Sequence, residues 1–279
     1  MEGNGSGPGR TAFVLTGGGS LGAVQVGMLY ALLEAGVRPD LVVGSSVGAL
    51  NGAYLAGHPS LEGIEDLAGL WESIKRTEIF PISPRRMVAG ALGWRNHLFD
   101  PLGLRTLILR AKLGFDHLED APVPLHVMST DVSAGAPVVL SRGDVVEALM
   151  ASAAMPGAFP PVEMDGRLLI DGSVTADAPV ERAEAWGATT IYLLPTASQD
   201  EASPRGALDM VQHAIALALR QSESSRQAAV SSRVSLHVLP APPRAGHSVF
   251  DFSRTTELID SGYLQTAGWL ASQPSQLVA

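Results

Sequence analysis

Cysteine is absent from the 279 residues, which excludes disulfides and thiolate chemistry and leaves the compartment open. Aromatic residues make up only 5%, so Ala, Val and Leu must fill most of any core. No stretch approaches the ~18 uninterrupted apolar residues that a membrane-spanning helix needs. The opening MEGNGSGPGR carries an acid at Glu2 and no apolar segment. It lacks the pattern of a secretory signal, and residues 1–10 are expected to form a disordered tail. A cytoplasmic protein is expected. Positive charge is also short, with 19 Lys and Arg against 28 Asp and Glu and a net charge of −9. That balance argues against a nucleic-acid partner, because phosphate backbones would be repelled. Calcium-loop and zinc-ligand spacings are missing, so neither metal nor cofactor is expected.

What is present suits one sizeable core, since 46% of the chain is apolar and a chain of this length can bury much of it. Ala12-Phe13-Val14-Leu15 reads as a buried strand. Residues 23–35 are apolar on nearly every side, as an interior helix would be, with Gly36 as its stop. A second strand at 41–43 and a helix over 47–56 follow. Strand, helix, strand, helix with short connections predicts an α/β fold, a mostly parallel sheet covered on both faces. Later strands are expected at 125–129, 138–140, 168–170, 191–194 and 234–239. Helices are expected near 144–151, 179–186, 207–226 and 254–270. Asp144 and Glu147 have capping-box spacing. The segment 61–120 is less regular, with a helix near 62–73 and another opened by Asp100-Pro101. It reads as an insertion over the sheet within a single domain spanning 11–270, and 271–279 should fray.

Two motifs carry chemistry. Gly17-Gly18-Gly19-Ser20-Leu21-Gly22 lies between the first strand and helix, where bare N–H groups can face an anion. It satisfies G-x-G-x-x-G, so it could serve a dinucleotide pyrophosphate or an oxyanion. Then Gly44-Ser45-Ser46-Val47-Gly48 ends the second strand and opens a helix. That is the strand–turn–helix setting of a nucleophile elbow, with Ser46 as the hydroxyl. A dinucleotide site wants an acid at the end of that strand, and the nearest one, Asp40, precedes it. A serine needs a base. His213 and His237 fall within a helix and a strand where structural roles suit them, and His247 is the one histidine candidate in a loop. Asp171 closes an apolar run and precedes Gly172, at a strand end beside a turn.

With these residues in hand the chain resembles the patatin-like phospholipases. The resemblance covers residues 10 to 195 and rests on 17–22, 44–48 and the Asp171-Gly172 pair, in that order. Thr130-Asp131 and the segment 151–161 are also similar. It implies an acyl-ester hydrolase of lipids in which Ser46 is the nucleophile and Asp171 its base, as a dyad without histidine. It also implies an oxyanion hole from the N–H groups of Gly17, Gly18 and Gly19 with that of Val47. Gly22, Gly44, Gly48 and Gly172 would be motif glycines. Three positions depart from the family pattern: Leu21 stands where a cation is usual, Ser173 where glycine is, and Asp177 where asparagine is. Asp177, if close, would raise the pKa of Asp171.

Charge is unevenly placed. Residues 75–112 carry a net +6, including Arg85, Arg86 and Arg95, which leaves −15 for the rest. Interleaved with Ile79, Phe80, Trp94, Leu98 and Phe99, this segment reads either as a lipid-facing surface giving peripheral membrane contact or as a solvated lid with paired arginines. Two rival functions stay open, a dinucleotide-binding oxidoreductase and a catalytically silent lipid-binding module.

Overall fold

A computed structural model describes residues 9–81, 83, 92, 94–176, 179–198, 210, 211, 213, 214, 217, 234–243 and 248–273. The first half contains β1 (Arg10–Leu15), α1 (Ala23–Glu34), β2 (Leu41–Ser45), α2 (Val47–Gly57), α3 (Leu61–Ser73), α4 (Arg76–Ile79) and α5 (Leu102–Ala111). The second contains β3 (Leu125–Asp131), β4 (Ala136–Leu140), α6 (Val145–Ser152), β5 (Val162–Met164), β6 (Arg167–Asp171), α7 (Val180–Ala185), β7 (Ala188–Leu194), β8 (Ser235–Val238) and α8 (Thr255–Ser272). The sequence had pointed to neither the short α4 nor the three-residue β5. The expected helix at 207–226 and the expected frayed end fall largely outside the described residues.

The strands form one sheet with a parallel centre. β1 pairs in parallel with β2 on one side and β7 on the other, and the parallel pairing continues from β2 to β3 and from β7 to β8. β1 is buried on both faces, as its unbroken apolar run requires. Phe13 and Leu15 enter the larger core beneath α1, α2 and α3, while Ala12 and Val14 enter a smaller one with Val180 and Ala183 of α7. The sheet also has an antiparallel margin, in which β4 and β6 pair with β3 and β5 pairs with β6.

Register along β3 decides where the site lies. β2 pairs with residues 125–128 of β3, β6 with 129–131 and β4 with 127–131. A strand offers only two hydrogen-bonding edges. Because the β4 stretch overlaps the other two, β2 and β6 share the opposite edge, end to end. Ser45 lies across from Met128 and Asp171 across from Ser129, the next residue. Two strands far apart in sequence therefore meet tip to tip.

The helices of residues 61–111 pack against the elements around this junction. α3 rests on α1 and α2, and α5 on α4 and α6. Asp144 caps α6, accepting the Glu147 N–H at 2.9 Å, while the Glu147 carboxylate pairs with Arg105; at α5, whose N-cap is Pro101, Asp100 just before it accepts the Leu102 N–H at 3.0 Å. No helix among the described residues is long and apolar enough to cross a membrane.

Candidate active site

Ser46 occupies the turn from β2 into α2 with φ 53° and ψ −125°, a backbone region that costs a non-glycine residue about 1–3 kcal/mol. The turn closes so tightly that its flanking residues have no room for side chains. A Cβ on Gly44 would lie 2.6 Å from the Ala49 Cα, and one on Gly48 2.6 Å from the Thr16 carbonyl oxygen. The backbone of Ser46 is pinned from both ends. Its N–H donates to Ser152 Oγ at 2.9 Å, and its carbonyl accepts from the N–H groups of Ala49 and Leu50. The hydroxyl then donates to Asp171 Oδ2 at 2.6 Å.

Asp171 is held as firmly. Its Oδ1 accepts the Ser173 N–H at 2.9 Å, its own N–H donates to the Ala154 carbonyl, and its carbonyl accepts from Thr130 Oγ1. Gly172 lies beneath the Met128 carbonyl, where a side chain would collide. Ser46 is 6% and Asp171 4% exposed, so the pair is nearly shut off from water. Burial raises the Asp171 pKa above the ordinary carboxylate range, against hydrogen bonds from Ser46 and Ser173 that act to lower it. Asp177, the second acid named in the sequence, lies outside the described residues.

The glycine loop runs alongside. Thr196 Oγ1 donates to the Gly17 carbonyl at 2.8 Å, and the Gly18 carbonyl accepts from the Leu21 N–H. In a trans peptide the N–H points away from the carbonyl, so these bonds aim the N–H groups of Gly18 and Gly19 to the opposite side. Gly19 adopts φ 58°, and a side chain there would strike the Val249 carbonyl. The next N–H, that of Ser20, is committed to Val249 at 2.8 Å. Leu21, at the position where the family carries a cation, is buried in the core.

Gly19, Ser46 and Val47 open onto a cleft of about 810 Å³, counted out to its mouth. Its walls include Leu50 of α2, Leu67 and Trp71 of α3, Leu104 and Ile108 of α5, Leu149 of α6 and Phe252. Among the described residues, no Asp, Glu, Lys or Arg lines it. Phe80, Phe99, Phe159, Phe250 and Phe252, five of the seven phenylalanines, gather on one side, with ring centroids 4.9–5.4 Å from Phe80 to Phe250, Phe99 and Phe159.

The other candidates lie elsewhere. Ser45 spends its hydroxyl on the Ala176 carbonyl at 2.7 Å. His237 is on β8, three strands from β2 and hence roughly 14 Å away, where it meets Ser235 and Tyr192. Among the described residues no histidine hydrogen-bonds to Ser46 or Asp171; His247 lies outside them. In the basic segment Arg105 pairs with Glu147 at 2.6 Å and Arg110 with Glu78 at 3.8 Å, while Trp94, Leu102 and Leu109 are exposed. Arg85 and Arg86 lie outside the described residues. Sequence reading passed over Ser152 and the buried polar side chains Gln25, Asn51 and Trp71. Their partners are 9 to 169 residues away, beyond the reach of any local pattern.

The model of the family described as Patatin-like phospholipase matches residues 13–184. The patatin-like phospholipase domain-containing protein 7 of Rattus norvegicus is 30% identical over 196 residues, covering 68% of this chain and 14% of that protein. The lysophospholipase nte1 of Aspergillus terreus is 30% identical over 197 residues, 69% of this chain and 12% of its own length. Both relatives are thus several times longer than the part this chain matches. In fold, VipD from Legionella pneumophila superposes with a TM-score of 0.52 at 15% identity, over 96% of this chain and 68% of that one. The match over most of the chain, whose span of residues 13–184 includes the glycine loop, the serine elbow and the Asp-Gly pair, makes this protein a member of the patatin-like phospholipase family.

Proposed function

We propose that the chain is a lipid acyl hydrolase working through Ser46 and Asp171. The observation that carries the reading is the 2.6 Å bond from the hydroxyl of a serine with a strained backbone to a buried carboxylate, at the wall of a cleft that is mostly apolar among the described residues. As Ser46 Oγ attacks the acyl carbonyl, Asp171 takes its proton. The N–H groups of Gly18, Gly19 and Val47 receive the oxyanion, each such donor contributing about 3–4 kcal/mol, while Gly17 anchors the loop through its carbonyl. Collapse expels the alcohol, which leaves with the proton from Asp171. Water then attacks the acyl-enzyme, and Asp171 serves as base a second time. The carboxyl's raised pKa suits it to this task, because an ordinary Asp is too weak a base near neutrality.

The cleft supports an acyl chain as the bound portion, and the lysophospholipase named among the relatives makes a monoacyl phospholipid the first substrate to try. A dinucleotide gains no support from a cleft whose described lining is mostly apolar and holds no Asp, Glu, Lys or Arg. Labelling with a fluorophosphonate and release of fatty acid from a lipid panel test the proposal, both being lost in Ser46→Ala. Lipid binding without fatty-acid release would favour the silent module instead.

A further inference from the structure

Three polar side chains cross the core between the serine's helix and the glycine loop. Gln25 on α1 donates both amide hydrogens, to the carbonyls of Thr16 and Leu194 at 2.9 Å each. Asn51 on α2 likewise donates to the Gly22 carbonyl at 3.0 Å and to Gln25 Oε1 at 2.9 Å. Trp71 Nε1 on α3 donates to Asn51 Oδ1 at 2.8 Å. An indole N–H can only donate and a backbone carbonyl can only accept, which fixes the orientation of the Asn51 amide between them. The chain is fully satisfied, and all three side chains are buried. Losing any member would strand a polar group away from water.

Placement gives this chain a meaning beyond stability. Thr16 and Gly22 bracket the glycine loop, and their carbonyls are tied through Gln25 and Asn51 to one point. Asn51 sits on the helix that begins immediately after Ser46, so its bond to Gly22 spans from the nucleophile's own element to the loop's far end. The donors at Gly18 and Gly19 lie between the two tethers. Resting on the hydrolase reading above, we infer that Gln25, Asn51 and Trp71 are positioning residues, which hold the loop's N–H groups at the distance from Ser46 that the oxyanion requires. They touch no reacting atom. Their influence falls on the rate of acylation and hardly on substrate affinity. Asn51 and Trp71 also line the cleft, so the acyl site and the loop share a wall.

Steady-state kinetics on a soluble ester, with fluorophosphonate labelling rates and thermal melts, test this on the full chain. Asn51→Leu, close in size, removes both tethers it makes. Its kcat is expected to fall ~10- to 100-fold, the effect of a misplacement near 1 Å, with KM changed less than about threefold. Trp71→Phe keeps an aromatic wall and removes only the indole donor. It should lower kcat in the same sense by a smaller factor, with labelling slowed in parallel, and it decides the matter if Asn51→Leu does not fold. Folded variants with unchanged kcat, or with a raised KM alone, would overturn the inference. Ser46→Ala is run beside them. Activity retained there defeats the hydrolase reading and this inference together, whereas loss there with unaffected Trp71→Phe kinetics defeats only the positioning role.

Discussion

A carboxylate shut away beside a serine is a stronger base and also a burden on the fold. Unfolded, Asp171 would ionise near the ordinary value of about 3.9; folded, burial holds its pKa higher. Below the unfolded value both states are protonated and the folded state carries no buried charge. As pH rises through the raised value, the folded protein must hold a charge that the unfolded chain would hydrate, and stability is lost. Asp171→Asn removes that charge while keeping the shape. It should therefore melt higher than the parent protein at pH 7, the difference closing toward pH 4, as calorimetry at the two pH values would read. The same variant should lose ~10²- to 10⁴-fold in kcat, the usual contribution of a general base. In the parent protein kcat/KM should climb through the raised Asp171 pKa. How legible these residues were differs for a physical reason. The elbow at Ser46 is a steric problem solved within five residues, so its glycines are visible in sequence. Asp171 is an Asp-Gly turn like any other until its partner, 125 positions earlier, is found.

At the scale of elements, the segment 61–120 that looked irregular in sequence builds half of the cleft wall. Leu67 and Trp71 come from α3, Ile79 from α4, and Leu104, Leu107 and Ile108 from α5. The Asp144 cap and the Asp100 bond were legible because they act within three residues. The short α4 was not, because four residues carry no periodicity. β5 was not either, since three residues form a strand only against β6. An apolar cleft of this kind should reward chain length. Each added methylene buried contributes about 0.8 kcal/mol, so kcat/KM across an ester series should rise by up to about fourfold per carbon until the cleft is full. Ile108→Trp should shift that optimum to shorter acyl groups. An unmoved optimum would mean that the chain binds elsewhere.

For the whole molecule, the proposed contact with a lipid surface has to form despite a net charge of −9. The outer face of α5 carries Leu102 and Leu109, 65% and 59% exposed, one heptad apart and close to Arg110 and Lys112, while its inner face lines the cleft. The reading that this face contacts an anionic bilayer predicts co-sedimentation with phosphatidylserine vesicles, weakened by Leu102→Ser with Leu109→Ser. Such surface changes should alter stability by no more than about 0.5 kcal/mol each, so thermal melts should barely move. Unchanged vesicle binding would leave the solvated-lid alternative, to which the Arg105–Glu147 pair already belongs. By itself the sequence determined the α/β alternation, the elbow, the glycine loop and the family, because each is written in steric or periodic rules that act over a few residues. Only the tertiary structure decided that Asp171 meets Ser46 at the junction of two strands on one edge of β3, that burial raises its pKa, and that the described walls of the cleft are mostly apolar. Those properties belong to side chains brought together from distant positions, and no local pattern records which of them will share a space.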